Sequence, residues 1–269
     1  MKKIAILPTL FTLGNAVCGV TALVCAAHIS VAQYYLSQRQ AFYLSGLLVF
    51  VAMVFDVFDG YVARRAKAAS QFGAELDSLC DAISFGVVPG FLLMRLGEEF
   101  EGRMFRDLYF AVAMLYVCCT VLRLARFNVQ TTLDPKAHRS FLGLPSPAAA
   151  GCLAALVVVR FNFTEIRWLP DELMDSFIPV FAPFAGVIVA LLMVSRIPYV
   201  HLPNRVLHRR QRLSRVVQIV LLLFGVYLFR ELALVILFWG YAAYGPVRLA
   251  FRRAQAPVPA AIEAPPTQR

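Results

Sequence analysis

The sequence predicts an all-α protein that crosses a membrane many times, on three observations: its composition, its apolar runs and the placement of its positive charge. Of 269 residues, 60% are hydrophobic and 16% charged, and the mean hydropathy is +0.69. A soluble domain carries roughly a quarter charged residues, so this chain lacks the material for an ordinary water-facing surface. Apolar stretches of bilayer-spanning length recur from end to end, which marks an integral rather than an anchored protein. The net charge of +10 would suit a nucleic-acid ligand, but it collects in alternate loops. That is how membrane orientation is written, and no nucleic-acid partner is expected.

Spanning helices are expected near 14–32, 41–63, 76–95, 107–126, 146–161, 177–195, 215–229 and 231–248, the last two separated only by Arg230 and Glu231. Lys2, Lys3 and the apolar stretch up to Cys25-Ala26-Ala27 have the outline of a secretory signal peptide. Pro8, Thr12 and Asn15 interrupt its core, so an uncleaved first helix is the reading. With the N-terminus in the cytoplasm, that side receives 19 of the 26 Lys and Arg, while the opposite loops hold the acidic stretches Glu98–Glu101 and Asp171–Asp175. The bias places both termini in the cytoplasm. Residues 1–195 read as a membrane core, 196–253 as a basic loop with two further helices, and 254–269 as a disordered Pro- and Ala-rich tail. The six cysteines sit in apolar segments without a CxxC pair, as small buried hydrophobes do. The four histidines are scattered and form no metal cluster.

The second helix begins as an ordinary span, AFYLSGLLVFVAMVF, and then reads FDVFDGYVARR. A charged side chain in a spanning segment costs at least ~2.5 kcal/mol and faces a polar cavity rather than lipid. Asp56 and Asp59, three apart, share a helix face; so do Asp77 and Asp81, four apart in GAELDSLCDAISFG. The short intervening loop forces an antiparallel return, so the two pairs should face each other. Carboxylates so gathered repel, and either protonation or cations must relieve them. The oxygen-only donor set favours Mg²⁺ or Mn²⁺ over zinc. Two hard cations bridged by carboxylates suit phosphoryl chemistry, because they neutralise phosphates and stabilise attacking and leaving oxygens. Gly60 and Gly73 would let a phosphate or base approach the backbone, and Arg64 is placed to meet a phosphate oxygen. A helix-end salt network with Arg64, Arg65 and Lys67 would account for one or two of these acids, not four.

Written out, the residues are Asp56-x2-Asp59-Gly60-x2-Ala63-Arg64-x8-Gly73-x3-Asp77-x3-Asp81. This resembles the signature of the CDP-alcohol phosphotransferase family at every defining position. The resemblance implies six core helices, commonly in a homodimer, around a cytoplasm-facing cavity open to the bilayer. It implies that Asp56, Asp59, Asp77 and Asp81 bind two divalent ions, with Asp81 also the general base. Gly60, Ala63, Arg64 and Gly73 match positions that cradle the CDP moiety. Transfer in the family is direct: the acceptor hydroxyl attacks the β-phosphorus and CMP leaves.

Four flanking segments, LPTLFTLGNAVCG, AISFGVVPG, RLARFN and GLPSPAAAG, resemble the phosphatidylserine synthase branch of bacterial and archaeal membranes. They cover about residues 8–151 and imply CDP-diacylglycerol and L-serine as substrates. Where the family often begins Pro-Asn, Pro8 is followed by Thr9, although Thr12 and Asn15 keep their places as nucleotide contacts. A serine acceptor needs a cation for its carboxylate, and Arg123 or Arg126 at the end of the fourth helix could supply it. Both also fit as positive-inside anchors. Asn128 and Ser146 are further acceptor candidates. Two readings compete: the same chemistry on glycerol 3-phosphate or an inositol phosphate, and a divalent-cation transporter. The first would want a larger basic pocket. The second would want acids deep in other helices, whereas here they gather at one membrane face.

Overall fold

The computed structural model describes residues 6–28, 35–65, 71–98, 102–133, 141–161, 171–199 and 230–254. These form helices α1 (Ile6–Ala27), α2 (Gln38–Arg65), α3 (Gln71–Asp81), α4 (Val88–Gly97), α5 (Arg103–Leu133), α6 (Ser146–Arg160), α7 (Asp171–Val194) and α8 (Arg230–Ala254). A π-helical segment, Ala82–Val87, joins α3 to α4, so Gln71–Gly97 is one continuous span. Two-residue strands β1 (Phe141–Leu142) and β2 (Pro198–Tyr199) pair antiparallel and complete the described structure. Six spans are long and apolar enough to cross a membrane, and α6 is a shorter apolar helix. The protein is an all-α, multi-pass membrane protein.

Two boundaries differ from expectation in ways that matter. α1 starts at Ile6, not near 14, and ends at Ala27, not 32. Pro8 is harmless in a first turn, where its missing N–H has no intrahelical partner to lose. The helix stops at His28, whose φ of 52° is left-handed and whose N–H returns to Cys25 O at 3.0 Å. Thr12 and Asn15 therefore lie inside the helix. α5 runs on to Leu133, two turns past the expected end, and carries Arg126 and Asn128 with it. The helix expected at 215–229 and the tail from 255 lie outside the described residues.

α6 is the centre of the bundle, packed against α2, α7 and α8. At 15 residues it spans about 22 Å, short of a hydrocarbon core of about 30 Å. Its Ala149, Ala150, Cys152, Ala154 and Ala155 are fully buried. Small side chains let neighbouring backbones come close on every side.

α5 carries a second device. Pro89 and Pro183 have no N–H to give to the carbonyls four residues earlier, Phe85 O and Pro179 O. Tyr116 Oη donates to Phe85 O at 2.9 Å, and Tyr109 Oη donates to Pro179 O. The two tyrosines are seven residues apart, on one helix face, and both are fully buried. Pro89 thus accounts for the π-helical segment directly after Asp81: the regular ladder cannot pass it, and a side chain from another helix fills the gap. Close packing accompanies the break, since a Cβ on Gly90 would stand 2.7 Å from Val117 Cγ2.

Candidate functional site

The acidic residues come from the last turns of α2 and from α3. One carboxylate oxygen from each of Asp56, Asp59 and Asp77 lies within 4.8 Å of the others. Asp59 is buried and the other two half-buried. Asp77 Oδ1 is buried and accepts no hydrogen bond. An ionised carboxylate has only acceptors to offer, so three meeting here must either share protons or take a cation. An all-oxygen set fits a hard divalent ion such as Mg²⁺ or Mn²⁺.

Asp81 stands apart from this triple. It is buried one helical turn beyond Asp77, and its Oδ1 accepts from Asn15 Nδ2 at 3.0 Å. Asn15 is fully buried, and its own Oδ1 accepts nothing. Two glycines bring α1 near enough for this contact. A Cβ on Gly14 would stand 2.9 Å from the Phe55 ring, and one on Gly19 would stand 2.4 Å from Ser84 Oγ. Ser84, in the π-helical segment, donates to Asn15 O at 3.0 Å. The widened turn after Asp81 therefore grips the backbone of the residue that holds Asp81.

The remaining sequence candidates divide. Arg123 and Ser146 come together: Arg123 Nη1 donates to the buried Ser146 Oγ at 2.6 Å, while its own buried Nε has no partner. Arg123 also lies within electrostatic reach of Asp81 and Asp56. Arg126 instead reaches Val194 O at 3.4 Å on an exposed edge. Asn128 exchanges hydrogen bonds with Ser78 at 2.9 and 3.1 Å, tying the end of α5 to the acidic helix beside Asp77. Thr12 returns its hydroxyl to Pro8 O at 3.1 Å. Gly60 and Gly73 are partly exposed at the acidic end. Ala63 and Arg64 lie in the last turn of α2, with side chains outside the described residues.

The segment GLPSP has a backbone reason. Gly143 has φ 88°, and a Cβ there would stand 2.2 Å from Met193 O. Its N–H bonds Ile197 O at 2.9 Å, and Leu144 N–H bonds Leu192 O at 3.0 Å. Pro145 then starts α6 with Ser146 aimed at Arg123. Sequence reasoning missed Ser78 and Tyr116. Nothing in a hydroxyl on an apolar helix announces a partner on another helix.

The sequence matches the family model described as CDP-alcohol phosphatidyltransferase over residues 5–178. It is 32% identical over 254 residues to a CDP-diacylglycerol–serine O-phosphatidyltransferase of Helicobacter pylori, covering 93% of this chain and 94% of that one. It is 35% identical over 159 residues to an enzyme of the same name from Methanocaldococcus jannaschii, covering 59% of this chain and 65% of that one. An archaetidylserine synthase of Methanothermobacter thermautotrophicus is 34% identical over 155 residues, covering 57% and 56% of the two chains.

Proposed function

The chain belongs to the CDP-alcohol phosphatidyltransferase family, and from that premise we propose that it transfers the phosphatidyl group of CDP-diacylglycerol to L-serine. The observation that carries the acceptor is the pairing of Arg123 with Ser146 beside the aspartates. A buried guanidinium with a partnerless Nε suits a small carboxylate, which can accept two parallel N–H bonds. The relatives' names agree on serine. They support the acceptor more than the donor lipid, since archaetidylserine synthase shares the serine and not the diacylglycerol.

Asp56, Asp59 and Asp77 would hold the divalent ions, with Asp81 the fourth acid. Such ions, when bound, neutralise the pyrophosphate and stabilise the departing CMP. The chain's own part is positioning and proton transfer. Asp81, fixed through Oδ1 by Asn15, takes the proton of the serine hydroxyl through its other oxygen. The serine oxygen bonds to the β-phosphorus as the bond from that phosphorus to the bridging oxygen breaks, and CMP departs with the electron pair. Gly60, Ala63, Arg64 and Gly73 cradle the CDP moiety. Asn15 acts in this reading on the base rather than on the nucleotide. The acidic end faces the cytoplasm, where nucleotide and serine are supplied, and the positive-inside bias agrees with that.

The test supplies CDP-diacylglycerol with L-serine, glycerol 3-phosphate or an inositol phosphate in turn and follows CMP release. Release with serine alone is expected. Release with a phosphorylated acceptor and none with serine would overturn the acceptor and leave the family standing.

A further inference from the structure

α8 lies beyond the residues that the family model matches, yet it is seated on α6, the helix that begins at Ser146. Trp239 Nε1 donates to Cys152 O on α6 at 3.2 Å, and Phe238 fills the place a Cβ on Gly151 would need, 2.2 Å away. One turn on, Tyr199 Oη donates to Ala242 O at 2.9 Å in a buried bond. The Tyr199 ring packs on Tyr241 with centroids 5.6 Å apart, and Gly245 makes room for it, since a Cβ there would stand 2.5 Å from Tyr199 Cζ. A helix added only to cover α6 needs apolar contact alone. Two directed hydrogen bonds from aromatic side chains fix its register as well.

The same tyrosine reaches the site by a second route. Tyr199 is the β2 residue opposite Phe141, so α8 is tied to the strand that leads through Gly143 to Ser146. Ser146 Oγ takes the Arg123 guanidinium. Tyr241 and Arg123, moreover, lie within electrostatic reach of each other. The outward face of α8, with Ile236, Leu237, Tyr244 and Val247, is exposed and suited to lipid, while Trp239, Tyr241 and Ala242 turn inward.

We propose that α8 is the outer wall of the acceptor site, with Tyr199 and Tyr241 as positioning residues that set where Arg123 meets the carboxylate of an amino-acid acceptor. The inference rests on the reading of Arg123 as the carboxylate clamp. The test uses the full chain and measures KM separately for serine and for CDP-diacylglycerol in Tyr199→Phe, Tyr241→Phe and Arg123→Ala. Losing the Tyr199 hydroxyl bond to Ala242 O, or the Tyr241 hydroxyl that interacts electrostatically with Arg123, should raise KM for serine about threefold to tenfold and leave KM for the CDP-lipid in place. A rise in Arg123→Ala with none in either tyrosine variant overturns the role of α8 and spares the clamp. An unchanged KM for serine in Arg123→Ala overturns the clamp, and the inference with it. Equal losses for both substrates, tracking a lower melting temperature, make α8 packing only and also overturn it.

Discussion

Two of the regions where this bundle buries polar groups keep opposite hydrogen-bond accounts. Where α5 faces Pro89 and Pro183 the account balances: Phe85 O and Pro179 O, each deprived of a donor by a proline, receive the hydroxyls of Tyr116 and Tyr109. At the acidic end it does not balance. Asp56, Asp59 and Asp77 bring acceptors to one point, and Asp77 Oδ1 is buried without a donor. A satisfied buried polar group contributes to one stable packing, whereas converging carboxylates with a buried oxygen that accepts nothing, such as Asp77 Oδ1, suit a place for something that is not protein. The contrast distinguishes these two regions without reference to any relative.

Four measurements test that contrast. Chelating divalent ions should have the largest effect, reducing CMP release to background, with Mg²⁺ or Mn²⁺ restoring it. Activity that survives chelation would mean the acidic end balances its own account. Next, Asp81→Asn should lower turnover about 10²- to 10⁴-fold, the usual span for a general base, while nucleotide binding by calorimetry persists. Intact turnover would remove Asp81 from the proton transfer. Asn15→Ala should cost less, about tenfold in kcat, because the base stays but loses the donor that orients it. A change in nucleotide affinity without a change in kcat would return Asn15 to the nucleotide. The smallest effect on chemistry is expected for Tyr109→Phe. It leaves Pro179 O without its donor and should cost about 1–3 kcal/mol of stability, with turnover per folded molecule preserved. A turnover loss there would blur the distinction between the two regions.

Much of the site was legible in the chain because it is local. Asp56 with Asp59, and Asp77 with Asp81, share helix faces by spacing alone, and a short loop returns one pair toward the other. The division of the four was not legible. Three converge, while Asp81 is claimed by Asn15, 66 residues earlier, on a helix that Gly19 lets come close to Ser84. Arg123 and Arg126 look alike in RLARFN, three apart on one helix. The fold gives them different partners, since Gly143 bends the chain so that Ser146 meets Arg123 while Arg126 is left at the edge with Val194 O. The first helix was placed too late because Pro8, Thr12 and Asn15 look foreign to a membrane span. Each has a reason to be there that a linear reading does not supply.

By itself, then, the sequence determined a many-helix membrane protein, the acidic end and the family, because hydropathy and short-range spacing are properties of consecutive residues. Only the three-dimensional packing decided which aspartate stands apart, which arginine meets Ser146 and what α8 presses upon. Those outcomes depend on hydrogen bonds and close approaches between helices tens of residues apart, and no local pattern encodes which hydroxyl or amide a distant helix will present.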